Sequence, residues 1–225
     1  MSFDLLAPHY RWMEWLLAGP KLQRCRTAFL RQVPEPRHAL LLGEGNGRFL
    51  VEFVLAHPGT RVTCLDASEP MLASARARLQ RPGLDNHNVE FVQADIFNWS
   101  PPREAFDLVV SHFFLDCFRP DQLEQILPRV AAATTPEANW LLADFREPPA
   151  GWARWRARLI LRAMYLFFRR AAGLPAARLT LPDPMLQEQG FALRERRLFE
   201  WGLLHSDLWT RGQGATFRLS HSSFA

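Results

Sequence analysis

The chain has few of the residues that build metal centres and disulfide frameworks. Its three cysteines, Cys25, Cys64 and Cys117, are odd in number and far apart. There is no Cys-x-x-Cys pair, and His, Cys, Asp and Glu nowhere cluster at the spacing of metal ligands. We therefore expect reduced thiols that serve as small apolar residues, with neither a disulfide framework nor a metal site.

Long apolar runs are also missing. No stretch reaches the length of a bilayer span, and Met1–Pro20 does not have the layout of a signal peptide. Hydrophobic residues make up 48% and charged residues 22% of the 225 positions, which is ordinary for one globular α/β domain with a good core. We expect a single domain over residues 1–225, located in the cytoplasm.

Lysine is almost absent, since only Lys21 of the 27 basic residues is a lysine. The net charge of +4 is modest, and the arginines cluster only at 154–170. Proteins that bind nucleic acid generally carry a concentrated basic patch, so we expect no nucleic-acid partner. A Tyr-x-x-x-Lys pair is missing as well, which disfavours a NAD-dependent oxidoreductase.

The most informative stretch is His38–Leu50. The apolar run Ala39 to Leu42 predicts a strand buried on both faces. Glycines at 43, 45 and 47 follow it, and apolar residues with helical spacing come next. A strand, a glycine turn and a helix in succession form a nucleotide-binding corner, where backbone N–H groups face the ligand.

The glycine spacing distinguishes between two kinds of ligand. The dinucleotide fingerprint Gly-x-Gly-x-x-Gly requires its third glycine at position 48, where Arg48 stands. The pattern Gly-x-Gly-x-Gly instead resembles motif I of the class I S-adenosylmethionine-dependent methyltransferases. Further stretches resemble other motifs of this family at matching spacing: Asp66-Ala67-Ser68 followed by Glu69-Pro70-Met71-Leu72, then Ala94-Asp95-Ile96, and Phe106-Asp107-Leu108-Val109-Val110.

The resemblance implies an α/β fold, a Rossmann-like doubly wound sheet of seven strands, mostly parallel with an antiparallel strand 7. We place strand 7 at Leu203–Thr210, with Ala215–Leu219 as the alternative. The expected parts are N-terminal lid helices (1–37), a cofactor-binding core (38–145), a helical cap inserted after strand 5 (146–181) and the C-terminal part of the sheet with the tail (182–225).

The resemblance also implies S-adenosylmethionine as cofactor, with S-adenosylhomocysteine as product. Asp66 ends strand 2, where a carboxylate can accept both ribose hydroxyls. Met71 matches the methionine that family members pack beside the adenine. Asp95 matches the acid that accepts from the adenine amino group, and the backbone of Ile96 would contact the ring edge. The family commonly has an acid two residues before the first glycine, but Leu41 stands there; Glu44 is our candidate to replace its charge, with main-chain carbonyls as the alternative. The remaining expected cofactor contacts are Gly43, Gly45, Gly47, Ala67, Ser111, His112 and, from the lid, Tyr10.

For the acceptor we expect a small apolar or aromatic molecule, methylated by direct transfer in a dry pocket that aligns the two reactants. If the nucleophile carries a proton, His112, Asp116 and Asp144 are the candidate bases, because burial raises a carboxylate pKa. The expected acceptor contacts are Phe113, Phe114, Trp155 and His205. Although His205-Ser206-Asp207 resembles a catalytic triad in composition, neighbours in a strand point to opposite faces, so these three cannot form a relay by themselves.

The stretch 152–174 predicts a helix of unusual composition. Trp152, Trp155, Leu159, Ala163, Met164 and Phe167 fall along one side, and Arg154, Arg158 and Arg162 repeat on another. We expect this helix to cap the acceptor. The alternative is a basic amphipathic helix that makes weak contact with an anionic membrane surface. Two other functions therefore stay open: a lipid or quinone methyltransferase at a membrane surface, and a non-catalytic S-adenosylmethionine-binding protein.

Overall fold

The structure is a computed structural model that describes residues 19–80, 88–173, 176, 178–212 and 218–220. Its helices are α1 (Gly19–Arg26), α2 (Arg48–Ala56), α3 (Glu69–Leu79), α4 (Pro120–Ala132), α5 (Gly151–Ala172) and α6 (Asp183–Glu188). Its strands are β1 (His38–Leu42), β2 (Arg61–Asp66), β3 (Val89–Gln93), β4 (Phe106–His112), β5 (Thr134–Phe145), β6 (Phe191–Phe199), β7 (Leu204–Arg211) and β8 (Arg218–Ser220). Short 3₁₀ turns cover Leu115–Cys117 and Glu200–Gly202.

All eight strands form one sheet in the order β3-β2-β1-β4-β5-β7-β6-β8. Strands β1 to β5 run parallel, and β7 is antiparallel to both β5 and β6. The predicted Rossmann-like sheet with an antiparallel strand 7 is confirmed. The eighth strand was not predicted: β8 pairs with β6 over three residues, too few to produce a periodic pattern, and it overlaps the alternative position considered for strand 7.

Two apolar layers enclose the middle of the sheet. On one side Leu40 and Val109 pack with Ile126 of α4, and on the other Leu41 packs with Phe53 of α2. Each of these side chains is essentially removed from water, and burying one stabilises the fold by about 1.5–3 kcal/mol. The central strands are thereby fixed, and their carboxyl ends form a rigid edge.

The turn between β1 and α2 contains a glycine that is needed for packing. Gly47 has φ of 80°, the left-handed region, and a Cβ there would lie 2.7 Å from the Cα of Ala75 in α3. Any side chain would push α2 and α3 apart. The structure shows this packing role for Gly47, and the expected contact with the cofactor stays a prediction.

We expect Gly47→Ala to destabilise the protein by about 2–5 kcal/mol, which combines left-handed strain with overpacking against α3. Gly173 is the matched control, since it has φ of 64° at the end of α5 and a Cβ at this position would meet no atom of the described residues within 4 Å. Gly173→Ala should therefore cost only the strain, about 1–2 kcal/mol. Urea unfolding measures both, and equal losses would contradict the packing role of Gly47.

Candidate active site

The turn after β1 is tied to the end of β2 by hydrogen bonds from its backbone. Gly43 donates its N–H to the carbonyl of Leu65 at 2.8 Å, and Gly45 donates to Oδ2 of Asp66 at 3.1 Å. The other carboxylate oxygen, Oδ1, accepts the N–H of Ser68 at 2.9 Å. The carboxylate is therefore held in place by main chain, and each oxygen keeps a lone pair for a ligand hydroxyl.

A cleft of about 130 Å³ opens beside this carboxylate, at the carboxyl ends of the parallel strands. Its lining residues are Gly43, Gly45, Leu65, Asp66, Ala67, Ser68, Met71, Ala94, Asp95, Ile96, Phe97, Phe113, Phe114, Cys117 and Phe118. Most of the predicted cofactor contacts are thus brought together, along with two of the predicted acceptor contacts. Tyr10 lies outside the described residues.

A larger cavity, about 380 Å³, lies at the amino edge of the sheet, between Pro34, Asp107 and Glu137. Open α/β sheets bind their ligands at the carboxyl ends of the strands, where the glycine turn also lies. We therefore place the site in the smaller cleft.

Glu44 is directed to the start of α2 and is not part of the cleft wall. Its Oε1 accepts the N–H groups of Phe49 at 3.0 Å and Leu50 at 2.9 Å, which satisfies two free donors of the first turn. Burial raises the pKa of this carboxyl to about 7, although the two N–H groups and the charge of Arg26 act against the rise. The geometry shows a helix cap, and a contact of Glu44 with the cofactor stays a prediction.

Two predicted contacts from β4 lie behind the wall of the cleft. Ser111 is fully buried and accepts the indole N–H of Trp140 at 2.8 Å. The ring of His112 packs edge-on against Phe49, with centroids 4.5 Å apart. Burial, helped by the charge of Arg26, lowers the pKa of His112, so its imidazole is neutral and a weak base.

Arg26 of α1 is a site residue that no motif in the sequence pointed to. It is buried, and its guanidinium carbon lies 5.3 Å from the ring centroid of Phe113 in the cleft wall. Its charge also lowers the pKa of Glu44 and of His112. A signal was present, since Arg26 stands four residues after Leu22 on the apolar side of the predicted helix.

The two predicted acids Asp116 and Asp144 lie together. The backbone N–H of Asp116 donates to Oδ2 of Asp144 at 3.2 Å, and the hydroxyl of Tyr165 donates to the carbonyl of Asp116 at 3.3 Å. Burial raises the pKa of Asp116 to about 6, and burial with the charge of Asp116 raises that of Asp144 well above its ordinary value. Both acids lie directly behind Cys117, which lines the cleft.

A second charged group lies deeper, on β6 and β7. Nδ1 of His205 is 3.1 Å from Oδ1 of Asp207, and Arg196 donates to both oxygens of Asp207, at 2.7 and 2.6 Å. Against the effect of burial, these two partners lower the pKa of Asp207. His205 is fully buried and is not part of the cleft wall, so the expectation that it contacts the acceptor is corrected.

The expectation for Trp155 is corrected as well. Its side chain is 64% exposed and lies outside the cleft wall, because α5 packs on the sheet through its opposite side, with Leu161 and Tyr165. The helix is apolar on two sides, and the sequence pattern does not show which side faces inward. In the part of the chain that the structure describes, the tryptophan side is therefore turned away from the cleft wall.

The family model described as "Methyltransferase domain" matches residues 39–137, which contain the glycine turn, Asp66 and Asp95. The chain belongs to the class I S-adenosylmethionine-dependent methyltransferases. The predicted family and its cofactor, S-adenosylmethionine, are thereby confirmed.

Relatives in this family differ in the acceptor that their names give. The chain is 40% identical over 119 residues to trans-aconitate 2-methyltransferase of Paracidovorax citrulli, a match that covers 51% of this chain and 42% of that one. It is 30% identical over 151 residues to demethylmenaquinone methyltransferase of Thermus thermophilus, covering 66% of each chain. The chain thus spans less than half the length of the first relative and about two thirds of the second.

Solved structures show the same fold. The 1,6-didemethyltoxoflavin-N1-methyltransferase of Burkholderia thailandensis, with bound 1,6-didemethyltoxoflavin and S-adenosylhomocysteine, superposes with a TM-score of 0.67 over 93% of this chain and 86% of that one, at 18% identity. The mitomycin 7-O-methyltransferase MmcR superposes with a TM-score of 0.66 over 94% of this chain and 61% of that one, at 21% identity.

The raised pKa of Glu44 predicts a specific pH dependence of stability. A carboxyl whose folded pKa lies above its unfolded value binds protons more tightly when folded, so its contribution to stability falls as pH rises from about 4.5 to about 7. Glu44→Gln stays neutral and should gain stability over the wild type across this range, by at most about 3 kcal/mol. Urea unfolding at both ends of the range measures the gain.

The control is Glu52→Gln, because Glu52 is exposed on the same helix. Its stability should follow the wild type at every pH. If the Glu44→Gln and wild-type profiles run parallel instead, the carboxyl of Glu44 does not titrate in this range.

Proposed function

We propose that the chain catalyses transfer of the methyl group of S-adenosylmethionine to a small acceptor with an apolar, aromatic body. The observation that carries the proposal is the cleft itself, where the bare backbone of Gly43 and Gly45 meets the carboxylates of Asp66 and Asp95. The cofactor supplies an electrophilic methyl group, so the main task of the protein is to align the reactants and exclude water.

The residues of the cleft fit the parts of this cofactor. Asp66, with both oxygens anchored by main chain, would accept the ribose hydroxyls. Met71 and Ile96 offer apolar side chains for the adenine, and Asp95 stands exposed beside them as an acceptor. A side chain at Gly43 would overlap the ring of Phe114, so the close approach of this ring to the backbone is possible only because the residue is glycine.

The wall on the acceptor side favours an aromatic or apolar molecule over a tricarboxylate. Phe97, Phe113, Phe114 and Phe118 contribute rings. The cleft residues that the structure describes include no lysine or arginine, and Arg26 packs against the ring of Phe113 without lining the cleft itself. A polyanion such as trans-aconitate would need cationic partners. Of the two acceptors named for the relatives above, demethylmenaquinone has the character that fits this wall better.

Asp116 and Asp144 would serve as the base when the acceptor carries a proton on its nucleophile. They share a buried position behind Cys117, and burial gives Asp116 a pKa of about 6, in the range where a carboxylate can take up a proton during the reaction. Tyr165, bound to the carbonyl of Asp116, holds this segment in place. His112 is the weaker candidate because its pKa is lowered.

Binding of the cofactor is tested with Asp66. Asp66→Ala should weaken the binding of S-adenosylhomocysteine by about 1.5–3 kcal/mol, the usual loss for a hydrogen bond to a charged group. Asp121→Ala removes a carboxylate that is exposed on α4 and should leave the affinity unchanged. Calorimetry measures both, and tight binding of NAD with none of S-adenosylhomocysteine would overturn the proposed cofactor site.

The role of the acids is tested by the pH dependence of methyl transfer to a panel of phenols and hydroquinones. The wild-type kcat should rise as pH increases through about 6, where Asp116 loses its proton. Asp116→Asn should lower kcat by roughly 10²–10⁴-fold and remove that step. Affinity for S-adenosylhomocysteine should not change. An unaltered kcat in both Asp116→Asn and Asp144→Asn would exclude a carboxylate base.

A further inference from the structure

Helix α5 presents a row of large apolar side chains to solvent. Trp152 is 65% exposed, Leu159 57% and Leu166 52%, and Trp155 belongs to the same row. Spacings of three, four and seven residues place all four on one side of the helix. Trp201, 70% exposed, extends this surface, because its ring lies edge-on to that of Trp152 with centroids 6.1 Å apart. We call this surface the outer face of α5.

Folding of the domain does not account for the outer face. The opposite side of α5 is already buried, with Leu161, Met164 and Phe168 in an apolar cluster that includes Phe145 of the sheet. One apolar side is what a helix needs to pack on a sheet. A second, exposed one marks a surface that binds something else.

The charged residues of α5 indicate what kind of partner the outer face can bind. The helix carries six arginines and no aspartate or glutamate. Arg158, Arg162 and Arg169 flank the outer face on one side, and Arg156 lies on the other with its guanidinium carbon 4.8 Å from the ring centroid of Trp201. Glu147, which precedes the helix, is paired with Arg154 and Arg158. The remaining surface is apolar in the middle and cationic at its edges.

We infer that the outer face of α5 binds the surface of an anionic lipid bilayer. Tryptophan favours the boundary between headgroups and acyl chains, and flanking arginines complement anionic headgroups. A second copy of the chain fits less well, because it would bring two arginine-rich faces together. Among the described residues no helix has the length and apolarity to cross a membrane. We therefore infer that α5 lies along the bilayer surface, in the interface between headgroups and acyl chains.

Docking would set the position of the cleft relative to the bilayer. The inner side of α5 carries Tyr165, whose hydroxyl is bound to the carbonyl of Asp116, next to Cys117 in the cleft wall. One helix thus contacts the region of the acceptor with one side and the proposed lipid surface with the other. The inference goes beyond the proposed function and does not depend on it.

The test is cosedimentation of the full chain with vesicles of phosphatidylcholine, with and without phosphatidylglycerol. Binding should require phosphatidylglycerol and weaken as salt is added. Combined replacement by Gln of Arg162 and Arg169, which flank the outer face, and of Arg170, which is exposed next to Arg169, should lower the partition coefficient by about fivefold per residue. Trp155→Ser should lower it as well, by removing an inserted side chain. Thermal melting checks that each variant folds.

The control removes the same number of charges elsewhere, by changing exposed Arg31, Arg61 and Arg103 to Gln. It should keep nearly all of the vesicle binding. The inference is overturned if the wild type does not sediment with anionic vesicles at low salt, or if the control loses as much binding as the α5 variant. A dimer in sedimentation velocity that Trp155→Ser dissociates, without vesicle binding, would also overturn it.

Binding of S-adenosylhomocysteine by the same variants separates the two proposals. We expect it to be unchanged in the α5 variants, because the outer face lies outside the cleft. A protein that binds S-adenosylhomocysteine but not anionic vesicles would contradict the lipid-binding inference alone. A protein that binds anionic vesicles but not S-adenosylhomocysteine would contradict the proposed function alone.

Discussion

The site depends on one hydrogen bond, from the backbone N–H of Gly45 to the carboxylate of Asp66. It joins the turn after β1 to the end of β2, two segments that are neighbours only because their strands are paired in parallel. The same carboxylate faces the cleft, so the group that orders the turn is also the group offered to a ligand. Burial raises the pKa of Asp66, and the N–H groups of Ser68 and Gly45 oppose the rise. The N–H group of Gly45 in the turn therefore favours the ionised form of the same carboxylate that holds the turn in place.

Below the cleft, two buried acids on neighbouring strands have pKa values that are shifted in opposite directions. Asp207 of β7 is paired with Arg196 and His205, which favour its ionised form. Asp144 of β5 lies beside a second acid, Asp116, and has no such cation among its hydrogen-bond partners in the described structure. When the pKa values of two adjacent acids are shifted in opposite directions, one acid stays ionised and stabilises the structure, while the other can gain and lose a proton.

The strands that follow from local runs of apolar residues could be predicted to within one or two residues. The buried run predicted at Ala39 to Leu42 lies in β1, and Asp66, predicted to end strand 2, is the last residue of β2. The cleft could be predicted because strand ends gather at one edge. Tyr165 could not be predicted, since it reaches the site through contacts distant in sequence. The place of Arg26 on the apolar side of its helix indicated burial but not the groups that it would contact. The side of α5 that packs on the sheet could not be predicted either, because two sides of the helix are apolar and only the tertiary packing determines which one is buried.

The ring of Phe114 covers Gly43 and packs against Phe118, with centroids 5.0 Å apart. Aromatic contacts of this kind are worth about 0.5–1.5 kcal/mol beyond the area they bury. A ligand that contacts Gly43 on the side covered by this ring takes the place of the ring, so its measured affinity is the intrinsic affinity reduced by the free energy of displacement. Because Phe114 also belongs to the aromatic wall, that displacement reshapes the space left for a second molecule. Arrival of one reactant therefore prepares the site for the other, and we expect the two to bind in a compulsory order.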